Sequence, residues 1–186
     1  TVVALAALLV AATCDYQGAI MAPTEVLAVQ HFSTVARLLE GLARPLKNDN
    51  LLSIHLDPFP RPITVGLLVG AMSARRKREI QGLLADDSLD IAIGTHALVQ
   101  EGVDMPRLAM AVVDEQHRFG VMQRAALTDG GLRPHLLAMS ATPIPRSLAL
   151  TVYGDLDQSV IDELPPGRQR IRTRWVEPGR REAAYD

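Results

Sequence analysis

The chain has 186 residues, 19 Lys+Arg against 21 Asp+Glu, a net charge of −2, 48% hydrophobic residues and 4% aromatics. That balance excludes a disordered chain, which needs low hydrophobicity and high net charge. The lone Cys14 excludes a disulfide scaffold and suits a reducing, cytoplasmic setting. The length suffices for one domain with a sizeable core and the start of another, and the near-neutral charge argues on its face against a nucleic-acid partner.

The apolar run from Val2 to Ala12 is 11 residues long. It is too short to span a bilayer and lacks the basic leader and small-residue cleavage site of a signal peptide. Residues 19–22 are expected to form a buried strand, after which Pro23-Thr24 opens a helix with Thr24 as N-cap. Ala28, Phe32, Val35, Ala36 and Leu39 then recur at helical spacing. Residues 44–62 carry Pro45, Pro58, Pro60 and Pro62 and are expected to be a loop. A strand over 63–69 and a helix over about 73–84 follow. Further strands are expected at 90–93, 108–113 and 136–139, each running into a polar motif. Continuous apolarity in these runs predicts strands covered on both faces, hence an α/β fold with a mostly parallel sheet.

The segment 162–167, Asp-Glu-Leu-Pro-Pro-Gly, is expected to be a stiff connector. Beyond it, residues 168–186 hold six arginines against three acids, a charge of +3 that leaves −5 for the rest. Arg168, Arg170, Arg172 and Arg174 alternate with other residues, so they would share one face of an amphipathic edge strand. The chain starts at Thr1 without methionine and stops within a helix-like stretch, 180–186, as a piece of something longer would.

Ligands of open parallel sheets bind beyond the C-terminal strand ends. Polar clusters are expected at such ends: Ala22-Pro23-Thr24-Glu25, residues 70–73, Gly94-Thr95-His96, Asp114-Glu115-Gln116-His117 and Ser140-Ala141-Thr142-Pro143. A buried strand that delivers Asp114 and Glu115 at its tip suits nucleotide hydrolysis. Asp114 would hold Mg²⁺ through water and Glu115 would orient or deprotonate the attacking water. The same pair would also suit a solvated turn. Thr24, Thr95 and Thr142 can each cap a helix, and Thr24 and Thr95 can each equally meet a phosphate oxygen. Arg75-Arg76-Lys77-Arg78 opens a helix against its macrodipole, which fits a solvated face or an external anion. His31, His55, His96 and His135 show no metal-ligand spacing.

Together, APTE at 22–25, GTHAL at 94–98, DEQHRFGVMQR at 114–124 and SATPIPR at 140–146 resemble the motor of superfamily-2 helicases. Within that superfamily they resemble the RecG family of ATP-dependent branched-DNA helicases, as do residues 153–157 and 159–168. Only 44–62 stands apart, like a local insertion. In the transcription-repair coupling factor, a similar motor, a second Glu would be expected at Gln116 and no histidine at His117. The primosomal helicase lacks the continuation seen at 118–121.

The resemblance implies a three-layer RecA-like P-loop NTPase lobe over 1–162, a linker over 163–168 and the start of a second RecA-like lobe over 169–186. It implies ATP and Mg²⁺ as cofactors, with Thr1 as the last residue of the phosphate loop and a magnesium contact beside Asp114. Asp114, Glu115, Gln116 and His117 would be catalytic, and Ser140, Ala141 and Thr142 would couple hydrolysis to lobe movement. Pro23, Thr24, Glu25, Gly94, Thr95 and His96 would contact DNA. The implied partners are forks and Holliday junctions, with no membrane, a monomeric state and contact with a single-strand-binding protein. The rival reading is a non-catalytic α/β binding module. The 186 residues alone are expected neither to hydrolyse ATP nor to unwind DNA; a DNA-stimulated ATPase rate measured on them would overturn that.

Overall fold

The structure is a computed structural model that describes residues 1–45, 50–100, 102–115, 134–141, 157–163 and 175–177. The chain divides into two compact units, Thr1–Pro143 and Ile144–Asp186. The first unit opens with helix α1 (Val2–Thr13), strand β1 (Gln17–Met21) and helix α2 (Glu25–Leu38). Strands β2 (Ala43–Pro45), β3 (Leu51–Ile54) and β4 (Ile63–Leu68) precede helix α3 (Ala74–Ala85). Strand β5 (Ile91–Gly94), a 3₁₀ turn (His96–Val99), β6 (Leu108–Asp114) and β7 (His135–Met139) follow.

The seven strands among the described residues join one sheet in the order β2-β3-β4-β5-β1-β6-β7. From β4 to β7 every neighbouring pair is parallel. The expected three layers are present. Alternate side chains of each central strand enter opposite cores: Ile20, Ile91, Ile93 and Val112 pack with Leu5 and Leu8 of α1 and Phe32 and Val35 of α2. Ala19, Met21, Ala92, Ala111 and Val113 pack on the other face with Ile80 and Leu84 of α3. Both strand faces are therefore apolar, the physical content of the continuous runs in the sequence. Gly18 admits α1 to the sheet, since a Cβ there would lie 2.5 Å from Leu8 Cδ2.

The described part of 44–62 is not loop throughout, although 55–62 hold no helix or strand. The segment includes the end of β2 and all of β3, which pair antiparallel with each other and with β4. Pro45 ends β2, the sheet's outermost strand, where a missing N–H is tolerated. The apolar Leu51-Leu52-Ser53-Ile54 run is buried throughout. Proline density misled because the prolines sit at the edge and in the turn, not within β3.

The N-terminal edge of the sheet is fastened by polar side chains. Buried Gln17 donates to the carbonyls of Leu84 (2.8 Å) and Leu89 (3.2 Å) and accepts from Arg107 N (3.1 Å). Asp90 Oδ2 accepts from Thr64 N (2.7 Å), and Arg61 bridges Asp90 and Asp15. Buried polar groups satisfied in this way stabilise rather than penalise.

At the opposite edge, Gly94 lies against β4, where a Cβ would collide with the backbone Leu68 O. Gly94→Ala is therefore expected to destabilise the fold by about 3 kcal/mol, because a backbone atom must move. Gly82, exposed within α3 with nothing near its absent Cβ, is the control. Gly82→Ala is expected to stabilise by about 1 kcal/mol. Urea denaturation of the two variants, with opposite signs, checks the pair.

Candidate nucleotide site

The parallel strands end together. Met21 pairs with Gly94 and Val113, Leu68 with Gly94, and Asp114 with Met139. All five sequence clusters consequently leave the same edge of the sheet. Thr24 is the exposed N-cap of α2, and its hydroxyl accepts from Leu27 N at 3.3 Å. Pro23 beside it is half-buried. Glu25, in the first turn, reaches the loop after β4 and accepts from Ala71 N at 2.8 Å. Ser73 caps α3 in the same way as Thr24 caps α2, accepting from Arg76 N.

Gly94 closes β5, and Ala22 N donates to its carbonyl at 2.8 Å. Thr95 is 1% exposed and its hydroxyl accepts from Ala97 N, whereas His96 is exposed. Ser140 and Ala141 lie exposed just after β7. Gln116, His117, Thr142 and Pro143, most of the connector and nearly all of the arginine-rich tail lie outside the described residues.

Asp114 ends β6 half-buried, with both carboxylate oxygens engaged. Oδ1 accepts from Glu115 N at 3.0 Å, and Oδ2 meets His31 Nε2 at 2.8 Å. The His31 imidazole is the leading cause that holds the Asp114 carboxyl below its ordinary 3.8, against the opposing effect of burial. The Glu115 N–H lowers it further. An ionised carboxylate only accepts, so Nε2 is the imidazole nitrogen that carries the hydrogen.

Glu115 follows with φ of +50°, the left-handed region, which costs a side chain of this kind about 1–2 kcal/mol. Its N–H bond to Asp114 helps hold that turn. Metal-ligand spacing does not point to His31, whose partner is a carboxylate. The available signal was different: His31 interrupts the apolar stripe of Ala28, Phe32 and Val35 on the buried face of α2. An imidazole in a core stripe calls for a polar partner.

The donor set fits a hydrated magnesium ion. Asp114 is ionised, each of its oxygens keeps one further lone pair, and Mg²⁺ retains several waters. Thr1, N-cap of α1, makes no side-chain bond to its own helix, so its hydroxyl is not committed there. Among the described residues, no three His, Cys, Asp or Glu side chains gather around a metal position. No helix among them is long and apolar enough to cross a membrane.

The sequence model of the DEAD/DEAH box helicase family matches residues 1–151, most of the chain. The chain belongs to that family. Within the DEAD/DEAH box helicases it is 45% identical over 176 residues to the ATP-dependent DNA helicase RecG of Streptococcus pneumoniae serotype 4 (95% of this chain, 23% of the relative). It is 48% identical over 179 residues to RecG of Mycobacterium tuberculosis strain H37Rv (95% and 23%). A solved structure of RecG bound to a three-way DNA junction is 39% identical, with a TM-score of 0.65 over 91% of this chain and 20% of that one. The chain thus spans about a fifth of the length of these relatives. The likeness to RecG agrees with the resemblance carried by the motifs, and the RecA-like α/β lobe is the fold they share.

Lowering of the Asp114 carboxyl has a definite sign. Its contribution to stability is complete above the ordinary 3.8 and is lost as pH falls through the folded value. His31→Phe is therefore expected to raise the Asp114 pKa toward 3.8, as read by carboxyl ¹³C NMR. The variant's stability should also fall less steeply in acid than the wild type's.

Proposed function

We propose that this chain is the nucleotide-binding first motor lobe of a RecG-type, ATP-dependent DNA helicase or translocase that acts on branched DNA in recombination and repair. One observation carries the reading: an ionised Asp114, fastened at both oxygens, stands at the tip of a parallel strand. The similarity to RecG supports it. Asp114 and Thr1 would hold the magnesium of bound Mg–ATP, which supplies charge neutralisation on the phosphates. Glu115 would orient the attacking water and accept its proton. The open N–H groups at the start of α1 suit phosphate oxygens.

Gln116, His117, Ser140, Ala141 and Thr142 would couple the nucleotide state to lobe movement. Thr24, exposed with Pro23 at the start of α2, would meet the phosphates of the tracked strand together with the 94–96 turn. There His96 is the accessible side chain, and contact through the buried Thr95 hydroxyl requires the turn to open. Glu25 would hold the neighbouring loop in place through Ala71. Contacts of this kind ignore base identity, as translocation along DNA requires.

The proposed lobe extends over 1–162, with 163–168 as connector and 169–186 entering a second lobe. We also attribute to the whole protein action as a monomer on forks and Holliday junctions, contact with single-strand-binding protein, and a place in the bacterial cytoplasm at the nucleoid.

Glu115→Gln in the full-length protein is expected to abolish DNA-stimulated ATP turnover while nucleotide affinity stays within a few-fold of wild type. Phosphate release and nucleotide binding measured on the same preparation check both halves. Wild-type turnover in that variant removes Glu115 from its role.

A further inference from the structure

His31 and Asp114 are 83 residues apart in sequence, yet their side chains meet at 2.8 Å. The contact joins α2 to the tip of β6, across the strand order in which β1 lies between β5 and β6. His31 stands seven residues after Thr24, about two helical turns or ~10 Å along α2. The same helix is tied at its first turn to the loop after β4 through Glu25 and Ala71. Ala28, Phe32 and Val35 bury its inner face in the core. A helix so packed moves as a body, because close-packed interiors deform little.

The bond also restricts Asp114. Glu115 N holds Oδ1 from within the same strand end, which by itself leaves the carboxylate free to swing. His31 fixes Oδ2 from an independent element, and both acceptor oxygens then have one set direction each. A packing role alone would be filled by an apolar side chain, as at Phe32 beside it. An imidazole nearly as buried, at 9% exposed, is costly without a polar partner.

We infer that His31 is a positioning residue for Asp114, and that through it α2 links the Pro23–Glu25 turn to the magnesium-nucleotide site. The inference rests on the proposed function, since it needs Asp114 to serve the metal and the start of α2 to meet DNA. Groups behind a metal's contacts commonly change metal affinity about 10–100-fold when removed.

The test uses the full-length protein as wild type, His31→Phe, which keeps the volume, and His31→Gln, which restores a donor. The affinity of mant-ADP is titrated against Mg²⁺, and ATP turnover is measured with and without a forked DNA oligonucleotide. Thermal melts establish that each variant folds. His31→Phe is expected to need about tenfold more Mg²⁺ for half-maximal mant-ADP binding. It should also show a smaller DNA stimulation ratio at saturating Mg²⁺, and His31→Gln should recover part of both. Unchanged Mg²⁺ dependence in a folded His31→Phe, or an equal loss at every Mg²⁺ and DNA concentration without recovery in His31→Gln, overturns the positioning role alone. A wild-type protein whose mant-ADP binding ignores Mg²⁺ overturns the functional reading beneath it.

Discussion

Everything at the candidate site depends on five parallel strands ending level with one another at one edge of the sheet. Parallel pairing with crossover connections sends each chain segment out of the sheet at the same side, so polar residues distant in sequence become neighbours. The level edge has a steric condition at Gly94. The β4 backbone approaches so closely there that any side chain would strike Leu68 O. With Gly94 in place, Ala22 bonds back to its carbonyl and the turns after β1 and β5 are held together.

The two edges divide the polar chemistry. At the N-terminal edge, Gln17 and Asp90 satisfy backbone groups and an arginine, and their partners are used up in holding strands. At the C-terminal edge, polar groups retain unused capacity. Thr1 makes no cap bond, and Asp114 keeps a lone pair on each oxygen. Glu115 adopts a left-handed backbone that a side chain of its kind avoids, at the turn where adjacent carboxylates leave a buried strand. Strain tolerated beside an ionised, doubly held carboxylate suits the catalytic role proposed for this pair.

Much of the lobe was legible in the sequence because its signals are local. Apolar runs marked β1, β4, β5, β6 and β7, Thr24 and Ser73 announced the starts of α2 and α3, and each strand led into a polar cluster. The segment 44–62 was illegible for a physical reason: a proline-rich stretch can still pair at a sheet's outer edge, and edge position is not a local property. The likeness to RecG motifs spoke to the family, and the matched relatives agree. Net charge says little of partners, since a value of −2 averages a tail of +3 with −5 over the rest.

By itself, the sequence determined which residues are apolar, where helices begin and which carboxylates follow a buried strand, because periodicity and capping act over a few residues. Only the tertiary structure decided that β1 lies between β5 and β6, that Glu25 fastens the loop after β4, and that His31 meets Asp114. Those contacts are set by how crossovers stack helices on a twisted sheet. No spacing within either segment records the distance that packing will leave between them.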